Sequence, residues 1–286
     1  MLGWAVALPF ILYPLQRAPE APFQQSRHYR VWALVKNTGS REARRATVAE
    51  ERWRTAGATG SRPRWAAELG MRVRRSFVLT LIGTTVFIGL FFIGYFYVQR
   101  HPAYTPIMMP VTPLDLMIPF QPNALLAYVS LWIYVGAGPG LQRTFTELAV
   151  YSLWMAGLCI TGLAIFYFWP TQTPPLTDPS TFSAFAVLHR LDKAGNACPS
   201  MHVAVAIFTL GRVDEVLRST RSPLWLRLVN VAWFAVIAYS TLAVKQHVAL
   251  DDAAGALLGV AFLVPSLRWR PKPRRETNLA DVTRLP

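Results

Sequence analysis

Two short stretches in the C-terminal half of the chain carry side chains that can do chemistry. The first is Cys-Pro-Ser-Met-His at residues 198–202, and the second is His-Val-Ala-Leu-Asp at residues 247–251. Each lies at the end of an apolar segment, so together they would bring two imidazoles and a carboxylate to a membrane surface. This combination, without a paired-cysteine metal motif, indicates phosphoryl chemistry.

The first stretch predicts the start of a helix, because Pro199 precedes an apolar run and proline is tolerated in a first turn. First-turn amides have no carbonyl partner in their own helix, so we expect those of Ser200, Met201 and His202 to point outward. Phosphate binds such amides, and the Ser200 hydroxyl adds a donor. Taken alone, the pattern also fits a capped helix with a histidine at the membrane interface.

The second stretch places His247 and Asp251 four residues apart, on one helical face if the last apolar segment begins there. A carboxylate that accepts the proton of one imidazole nitrogen leaves the other nitrogen as a nucleophile. Asp252 is rotated by about 100° from that face, which favours a cap or surface residue. Alone, the pair also fits a surface ion pair, but a second histidine on the same side favours a catalytic group.

The composition indicates a membrane protein, because 53% of the residues are hydrophobic, only 15% are charged and the mean hydropathy is positive. Residues 77–98 form the clearest transmembrane span, since they are long enough and contain no charge. Five further apolar segments predict five more helices, at residues 124–138, 148–169, 202–210, 229–244 and 248–267. We therefore predict an all-α bundle of six transmembrane helices.

The 29 Lys and Arg residues against 15 Asp and Glu are distributed in a way that predicts topology. Residues 27–75 hold 13 of these cations, and six spans beginning from a cytoplasmic N-terminus put 24 cations inside and four outside. This agrees with the positive-inside bias, so we expect no nucleic-acid partner. The same topology puts His202, His247 and Asp251 together on the outer side and both termini in the cytoplasm.

The chain is predicted to divide into a basic extension at residues 1–75, a membrane domain at residues 76–268 and a basic cytoplasmic tail at residues 269–286. The extension is either interfacial or disordered. Two proline-rich outer loops, at residues 101–122 and 170–199, flank the predicted site. Cys159 and Cys198 lie at different predicted depths, so no disulfide is expected.

Both motifs resemble those of a known superfamily. Pro-Ser-Met-His at residues 199–202 resembles Pro-Ser-Gly-His, and Ser-Thr-x5-His-x3-Asp at residues 240–251 resembles Ser-Arg-x5-His-x3-Asp. These are motifs of the phosphatidic acid phosphatase type 2 and haloperoxidase superfamily. The resemblance covers about residues 77–267 and implies a six-helix transmembrane bundle of the phosphatidic acid phosphatase type 2 kind.

A further resemblance concerns the branch. Leu-Asp-x2-Ile-Pro-Phe at residues 114–120, with Ser-Thr at residues 240–241 and Lys-Gln-His at residues 245–247, is most similar to proteins related to inositol phosphorylceramide synthases. This resemblance implies a lipid phosphate substrate, either a phospholipid or an isoprenoid or sphingolipid phosphate. It also implies a possible alcohol acceptor such as inositol.

The superfamily resemblance implies a role for each of three residues. His247 would be the nucleophile that attacks phosphorus, Asp251 would orient it, and His202 would be the general acid and base. No metal and no cofactor are expected.

The sequence departs from the superfamily pattern at the predicted phosphate site. Met201 replaces a glycine, Thr241 replaces an arginine, and no Lys-x6-Arg-Pro motif is present. Arginine is the better bidentate phosphate ligand, so other groups must contribute. The candidate phosphate-binding groups are Ser200, the Met201 backbone, Lys245, Lys193, Arg190 and Thr241.

The leading hypothesis is a metal-independent lipid phosphatase or phosphotransferase, or specifically a transferase resembling inositol phosphorylceramide synthase. One alternative is a lipid-binding or transport protein that retains the bundle without catalysis. Another is a hydrolase in which the two histidines and Asp251 bind zinc. Few cysteines and short loops favour a bacterial inner membrane, with the site facing the periplasm.

Overall fold

The computed structural model of the chain describes residues 63–176 and 195–269. Contacts divide the chain into two compact units, Met1–Ala67 and Glu68–Pro286. Nearly all of the predicted basic extension and of the basic tail lie outside the described residues. The predicted division at residues 75 and 76 falls inside the first described helix, which begins at Arg64.

The described residues are almost entirely helical. The helices are α1 (Arg64–Arg100), α2 (Pro113–Met117), a 3₁₀ turn (Pro122–Ala124), α3 (Leu125–Val129), α4 (Leu131–Gly140), α5 (Phe145–Phe168), α6 (Met201–Ser219), α7 (Leu224–Ala243) and α8 (Ala249–Arg268). Two short strands, β1 (Ile107–Met108) and β2 (Thr171–Gln172), pair in parallel in the two proline-rich loops. The all-α prediction is confirmed for this part of the chain.

Four of these helices are long and apolar enough to cross a membrane: Phe77–Arg100, Phe145–Phe168, Leu224–Ala243 and Ala249–Arg268. They indicate an integral membrane protein. Each corresponds to one of the six predicted spans. Among the described helices, length and composition therefore identify four of the six predicted spans. The second and fourth predicted segments do not qualify.

The second predicted segment is divided at Ser130 into α3 and α4, where the Ser130 hydroxyl donates to the Ala127 carbonyl at 2.6 Å. A serine side chain can hydrogen-bond to a nearby backbone carbonyl in this way and so compete with the hydrogen bonds of the helix. The fourth segment was predicted at residues 202–210, but α6 continues to Ser219 and contains charged residues in its second half. Helices α3 and α4 are therefore each too short to form a span, and α6 carries charges that a span would lack.

Helix α6 lies at the centre of the bundle. Met201, Ala204 and Phe208 pack with residues of α5 such as Leu158 and Phe166 in the main hydrophobic core. The helix continues beyond residue 210 because Val213, Val216 and Leu217 extend its buried face, while its charged residues find polar partners.

The buried Arg212 guanidinium provides the clearest example of these polar contacts. It donates to the Glu215 carboxylate at 3.0 Å, the Ser266 carbonyl at 3.3 Å and the Gln142 side chain at 3.4 Å. The predicted segment ended at residue 210, which left Arg212 outside the helix, whereas the structure places it within α6. Buried charge is tolerated when hydrogen bonds satisfy it, so the paired guanidinium allows the helix to continue.

Two glycines of α8 permit an unusually close approach to α6. A Cβ added at Gly255 would lie 2.3 Å from the Ser200 carbonyl oxygen, and one at Gly259 would lie 2.6 Å from the Ala204 oxygen. Small residues four apart allow helix backbones to approach closely inside membranes. The contact holds the first turn of α6 beside the first turn of α8, where the two predicted motifs end.

The two proline-rich loops are tied together around this end of the bundle. Beyond the pairing of β1 with β2, Gln172 forms an antiparallel bridge with Gly195. The Thr171 hydroxyl accepts from the Cys198 amide at 2.7 Å, and the Thr173 hydroxyl donates to the Gln246 carbonyl at 2.9 Å. One loop thus holds both motif segments. Both cysteines of the chain are free, as predicted.

Candidate active site

His202 is placed by the N-terminus of α6. Ser200 is the N-cap residue, and its hydroxyl accepts from the Val203 amide at 3.4 Å. His202 therefore lies in the first turn of the helix. Its Nε2 atom is buried and has no hydrogen-bond partner among the described residues.

His247 is placed by the short loop that joins α7 to α8. The Thr241 carbonyl accepts from the His247 amide at 3.3 Å and from the Gln246 amide at 3.2 Å. Asp251 follows in the first turn of α8, where it is fully buried, and its Oδ2 accepts from the Val248 amide at 3.0 Å. The His247 Nδ1 atom lies 3.6 Å from Asp251 Oδ2.

The two imidazole rings come together at one end of the bundle. The centroids of His202 and His247 are 5.7 Å apart, with an interplanar angle of 59°. The Ser200 amide donates to the Asp251 carbonyl at 2.9 Å, which joins the two motifs directly. Side chains 45 positions apart in the sequence therefore form one cluster of two imidazoles and a carboxylate.

Tyr128 of α3 contacts this cluster, and the sequence analysis missed it. Its ring stacks on His202 with centroids 4.2 Å apart, and its hydroxyl lies 3.5 Å from His202 Nδ1. Trp132 meets the same imidazole edge-on at 6.1 Å. No local signal marks Tyr128, because it lies 74 residues from His202 in an ordinary apolar segment. Because the Tyr128 hydroxyl lies near Nδ1, Nε2 is the nitrogen of His202 that remains for a substrate.

The amides at the start of α6 divide into two groups. The Ser200 amide is used by the Asp251 carbonyl and does not remain for phosphate. The amides of Met201 and His202 occupy the first two helical positions, where the helix itself supplies no acceptor. The Met201 amide can therefore bind an anion, as predicted for its backbone. The Ser200 amide cannot, because it already donates to Asp251.

The Met201 side chain, which stands where the superfamily motif has glycine, does not extend over these amides. It packs in the core against α5, where a Cβ added at Gly162 would lie 2.2 Å from the Met201 sulfur. The larger residue in the motif is thus accommodated by a glycine in the neighbouring helix.

Thr241 and Asp252 form a polar contact behind the loop that carries His247. The buried Thr241 hydroxyl lies 2.6 Å from Asp252 Oδ2 and 2.6 Å from the Ala238 carbonyl. Asp252 is half-buried, so its expected position as a cap or surface residue is wrong. Thr241 stands where the superfamily motif has arginine, but its hydroxyl is engaged by protein groups.

Lys245 lies two residues before His247, in a left-handed conformation with a φ of 57°. Its ammonium donates to the Asp115 carbonyl at 2.7 Å and to the Ile118 carbonyl. Burial lowers the pKa of Lys245, and the Asp115 carboxylate opposes that effect. The structure therefore places this predicted phosphate ligand on backbone carbonyls of the first proline-rich loop.

The other two predicted phosphate-binding cations, Arg190 and Lys193, lie outside the described residues. Cys198 is beside the site, but burial raises the pKa of its thiol to about 11 and the Asp251 carboxylate adds to this effect. A thiolate nucleophile is therefore not available there near neutral pH. In the two described ranges, no group of three His, Cys, Asp or Glu side chains is arranged to hold a metal ion.

Comparison with known proteins gave one result for this region. The family model described as PAP2 superfamily matches residues 148–275. No curated protein and no solved structure matches the chain significantly. The matched region begins in α5 and includes both motifs, so the part of the chain that builds the histidine cluster is similar to the PAP2 superfamily.

Proposed function

We propose that this protein is a metal-independent membrane enzyme that transfers phosphoryl groups from lipids through a phosphohistidine. Similarity to the PAP2 superfamily suggests phosphatase or phosphotransferase activity on phosphorylated lipids. The observation that carries the proposal is the 5.7 Å separation of the His202 and His247 rings beside the buried Asp251 carboxylate. A lipid-binding protein has no need of this arrangement.

In the first step, His247 Nε2 attacks phosphorus and the bond from phosphorus to the lipid oxygen breaks. Asp251 faces Nδ1, so it fixes the tautomer that leaves the lone pair on Nε2 and stabilises the imidazolium. The 3.6 Å separation shortens to a hydrogen bond when substrate binds, as catalytic contacts often do. His202 gives a proton to the departing oxygen.

In the second step, water or another alcohol attacks the phosphohistidine. His202, now neutral, accepts the proton of the attacking hydroxyl, and the bond between phosphorus and His247 breaks. The His202 Nε2 atom is buried and has no hydrogen-bond partner in the described ranges, as suits a nitrogen that exchanges a proton with substrate. Tyr128 holds the ring by stacking and by its hydroxyl near Nδ1.

The charge of the transferring phosphoryl group needs positive partners, because such catalysis rests on positioning and charge stabilisation. The described residues supply the amides of Met201 and His202 at the N-terminus of α6, where the helix dipole favours anions. We assign the remaining positive charge to Arg190 and Lys193. Both precede the first motif and are predicted on the outer side.

The substrate approaches from the outer leaflet in this proposal, with the N-terminus, the C-terminus and the basic extension in the cytoplasm of a bacterial inner membrane. The resemblance of residues 114–120 to inositol phosphorylceramide synthases favours an alcohol acceptor such as inositol. Water as the acceptor would make the protein a phosphatase. Both activities share the first step.

One experiment separates these possibilities. Purified protein in lipid vesicles is incubated with phosphorus-labelled lipid phosphates, with and without inositol, and the label is followed. Inorganic phosphate identifies a phosphatase, and labelled alcohol phosphate identifies a transferase. Binding without any transfer to water, alcohol or protein would refute the proposal and favour the lipid-binding alternative. Activity that disappears on exhaustive chelation and returns with zinc would favour the zinc hydrolase.

A further inference from the structure

The short helix α2 carries an acidic side chain that faces inward. Asp115 is only 2% exposed, although it lies in an outer loop. Its Oδ2 accepts from the Thr112 amide and from the Thr112 hydroxyl, both at 2.7 Å. Its Oδ1 accepts from the Ala249 amide at 2.8 Å. A buried carboxylate with three donors is a built contact rather than a surface charge.

The Ala249 amide belongs to the first residue of α8, so Asp115 caps that helix from a distant part of the chain. First-turn amides otherwise lack a protein acceptor. Negative charge is also favourable at this end of the helix dipole. The cap lies two residues after His247 and therefore holds one side of the nucleophile loop.

Lys245 holds the other side of the same loop. Its ammonium donates to the carbonyls of Asp115 and Ile118, which are the middle and the end of the α2 turn. The left-handed φ of 57° at Lys245 is uncommon for a residue with a side chain. Such conformations persist where surrounding contacts determine them, and the two carbonyls supply such contacts.

We propose that Asp115 and Lys245 form a clasp that positions His247, with Lys245 acting as a positioning residue and not as a phosphate ligand. The clasp is a reciprocal contact. Asp115 of α2 caps α8, which follows His247, and Lys245, two residues before His247, caps the C-terminal end of α2. It fixes the His247 backbone from both directions. This inference rests on the proposed function for its catalytic consequence, but its structural part can be measured without turnover.

The clasp has a structural test in hydrogen exchange. Full-length protein in detergent is compared with Lys245→Met, which keeps the methylene chain, and with Asp115→Asn, which cannot accept from Thr112 in the same way. We expect amide exchange over residues 244–251 to accelerate at least about tenfold in both variants. Arg100→Met is the matched control, since it removes an exposed outer-side cation that makes no clasp contact. Unchanged exchange in Lys245→Met overturns the proposal.

The clasp also has a kinetic test that separates positioning from phosphate binding. We expect kcat to fall about 10-fold to 100-fold in each single variant and little further in the double variant, because both remove one device. Inhibition by inorganic phosphate should keep its Ki within about twofold, because the phosphate ligands remain. A Ki raised about tenfold or more by Lys245→Met, with Asp115→Asn unaffected, identifies a phosphate ligand and overturns the clasp.

Failure of the proposed function gives a different result from failure of the clasp. A wild-type protein that transfers no phosphoryl group refutes the function, while the exchange measurement still decides the clasp. If Asp115→Asn does not fold, Thr112→Val removes one donor to the same carboxylate. Faster exchange over residues 244–251 is again the expected result, and wild-type exchange counts against the clasp.

Discussion

The contact between α6 and α8 gives the sharpest test of the site. Gly255 lies one helical turn after Asp251, and an added Cβ would stand 2.3 Å from the Ser200 carbonyl oxygen and 3.1 Å from the Ser200 carbonyl carbon. These are backbone atoms, which cannot turn aside as a flexible side chain can. Gly255→Ala must therefore push α8 away from α6.

The size of the displacement follows from the packing. Real Cβ atoms essentially never approach another heavy atom within 3.0 Å, so the helices must separate by about 0.7 Å or more. That displacement would lengthen the hydrogen bond of 2.9 Å from the Ser200 amide to the Asp251 carbonyl beyond an effective distance. It would also separate the His202 and His247 rings. A misplacement on the order of 1 Å can reduce catalysis about 100-fold.

The assay is phosphate release or transfer from a labelled lipid phosphate in vesicles, with thermal unfolding of each purified variant measured in parallel. We expect kcat/KM to fall about 100-fold in Gly255→Ala. Gly83→Ala in α1 is the matched control, because nothing lies within 4 Å of an added Cβ there. It should keep full activity and gain slightly in stability, since alanine favours helix.

A graded variant strengthens this test. Gly259→Ala places its Cβ 2.6 Å from the Ala204 oxygen, one turn further from the histidines. Its loss of activity should be smaller than that of Gly255→Ala. Gly255→Ala with at least half of wild-type kcat/KM would refute the reasoning, because the helix contact would then not set the geometry of the site.

Three other predictions concern the cluster itself. His247→Ala should abolish the labelled phosphoenzyme, whereas His202→Ala should slow turnover by about 10² to 10⁴-fold, most strongly for poor leaving groups; full turnover by His247→Ala excludes it as the nucleophile. Tyr128→Phe keeps the stacked ring and should lose less activity than Tyr128→Leu, and equal kinetics in both would exclude a role for the ring contact. Gly162→Ala should lower stability by about 1–3 kcal/mol through overpacking, and Met201→Ala should restore part of it in a thermal unfolding assay; additive effects would contradict the contact.

The motifs illustrate what local patterns can predict. A helix start at residue 200 follows from rules that act over a few residues. The prediction that His247 and Asp251 share one helical face is wrong, because α8 begins at Ala249 and leaves His247 in the preceding loop, although the two side chains still lie 3.6 Å apart. The apolar segments at residues 77–98 and 148–169 similarly predicted two of the long helices. The break at Ser130 and the charged second half of α6 were not predicted. Ser130 is a single polar residue within an apolar run, and the partners of Arg212, such as Gln142 and Ser266, come from distant parts of the chain.

The phosphate candidates show where such patterns stop. Thr241 and Lys245 were selected by their positions in a motif, but the partners of their side chains come from other elements. Lys245 donates to carbonyls 130 and 127 residues away in the sequence. Those contacts change its proposed role from a phosphate ligand to a residue that positions the loop. No periodicity in the sequence encodes a contact over that distance.

The sequence by itself determined membrane embedding, the starts of two helices and the residue types that suit phosphoryl transfer, because these depend on composition and on near neighbours. Tertiary structure alone decided that His202 and His247 lie 5.7 Å apart, that Tyr128 stacks on His202, and that Asp115 caps α8. The physical reason is the close contact of α6 with α8 at Gly255, together with loops that join distant segments. Those contacts arise from the packing of whole helices, which local propensity does not specify.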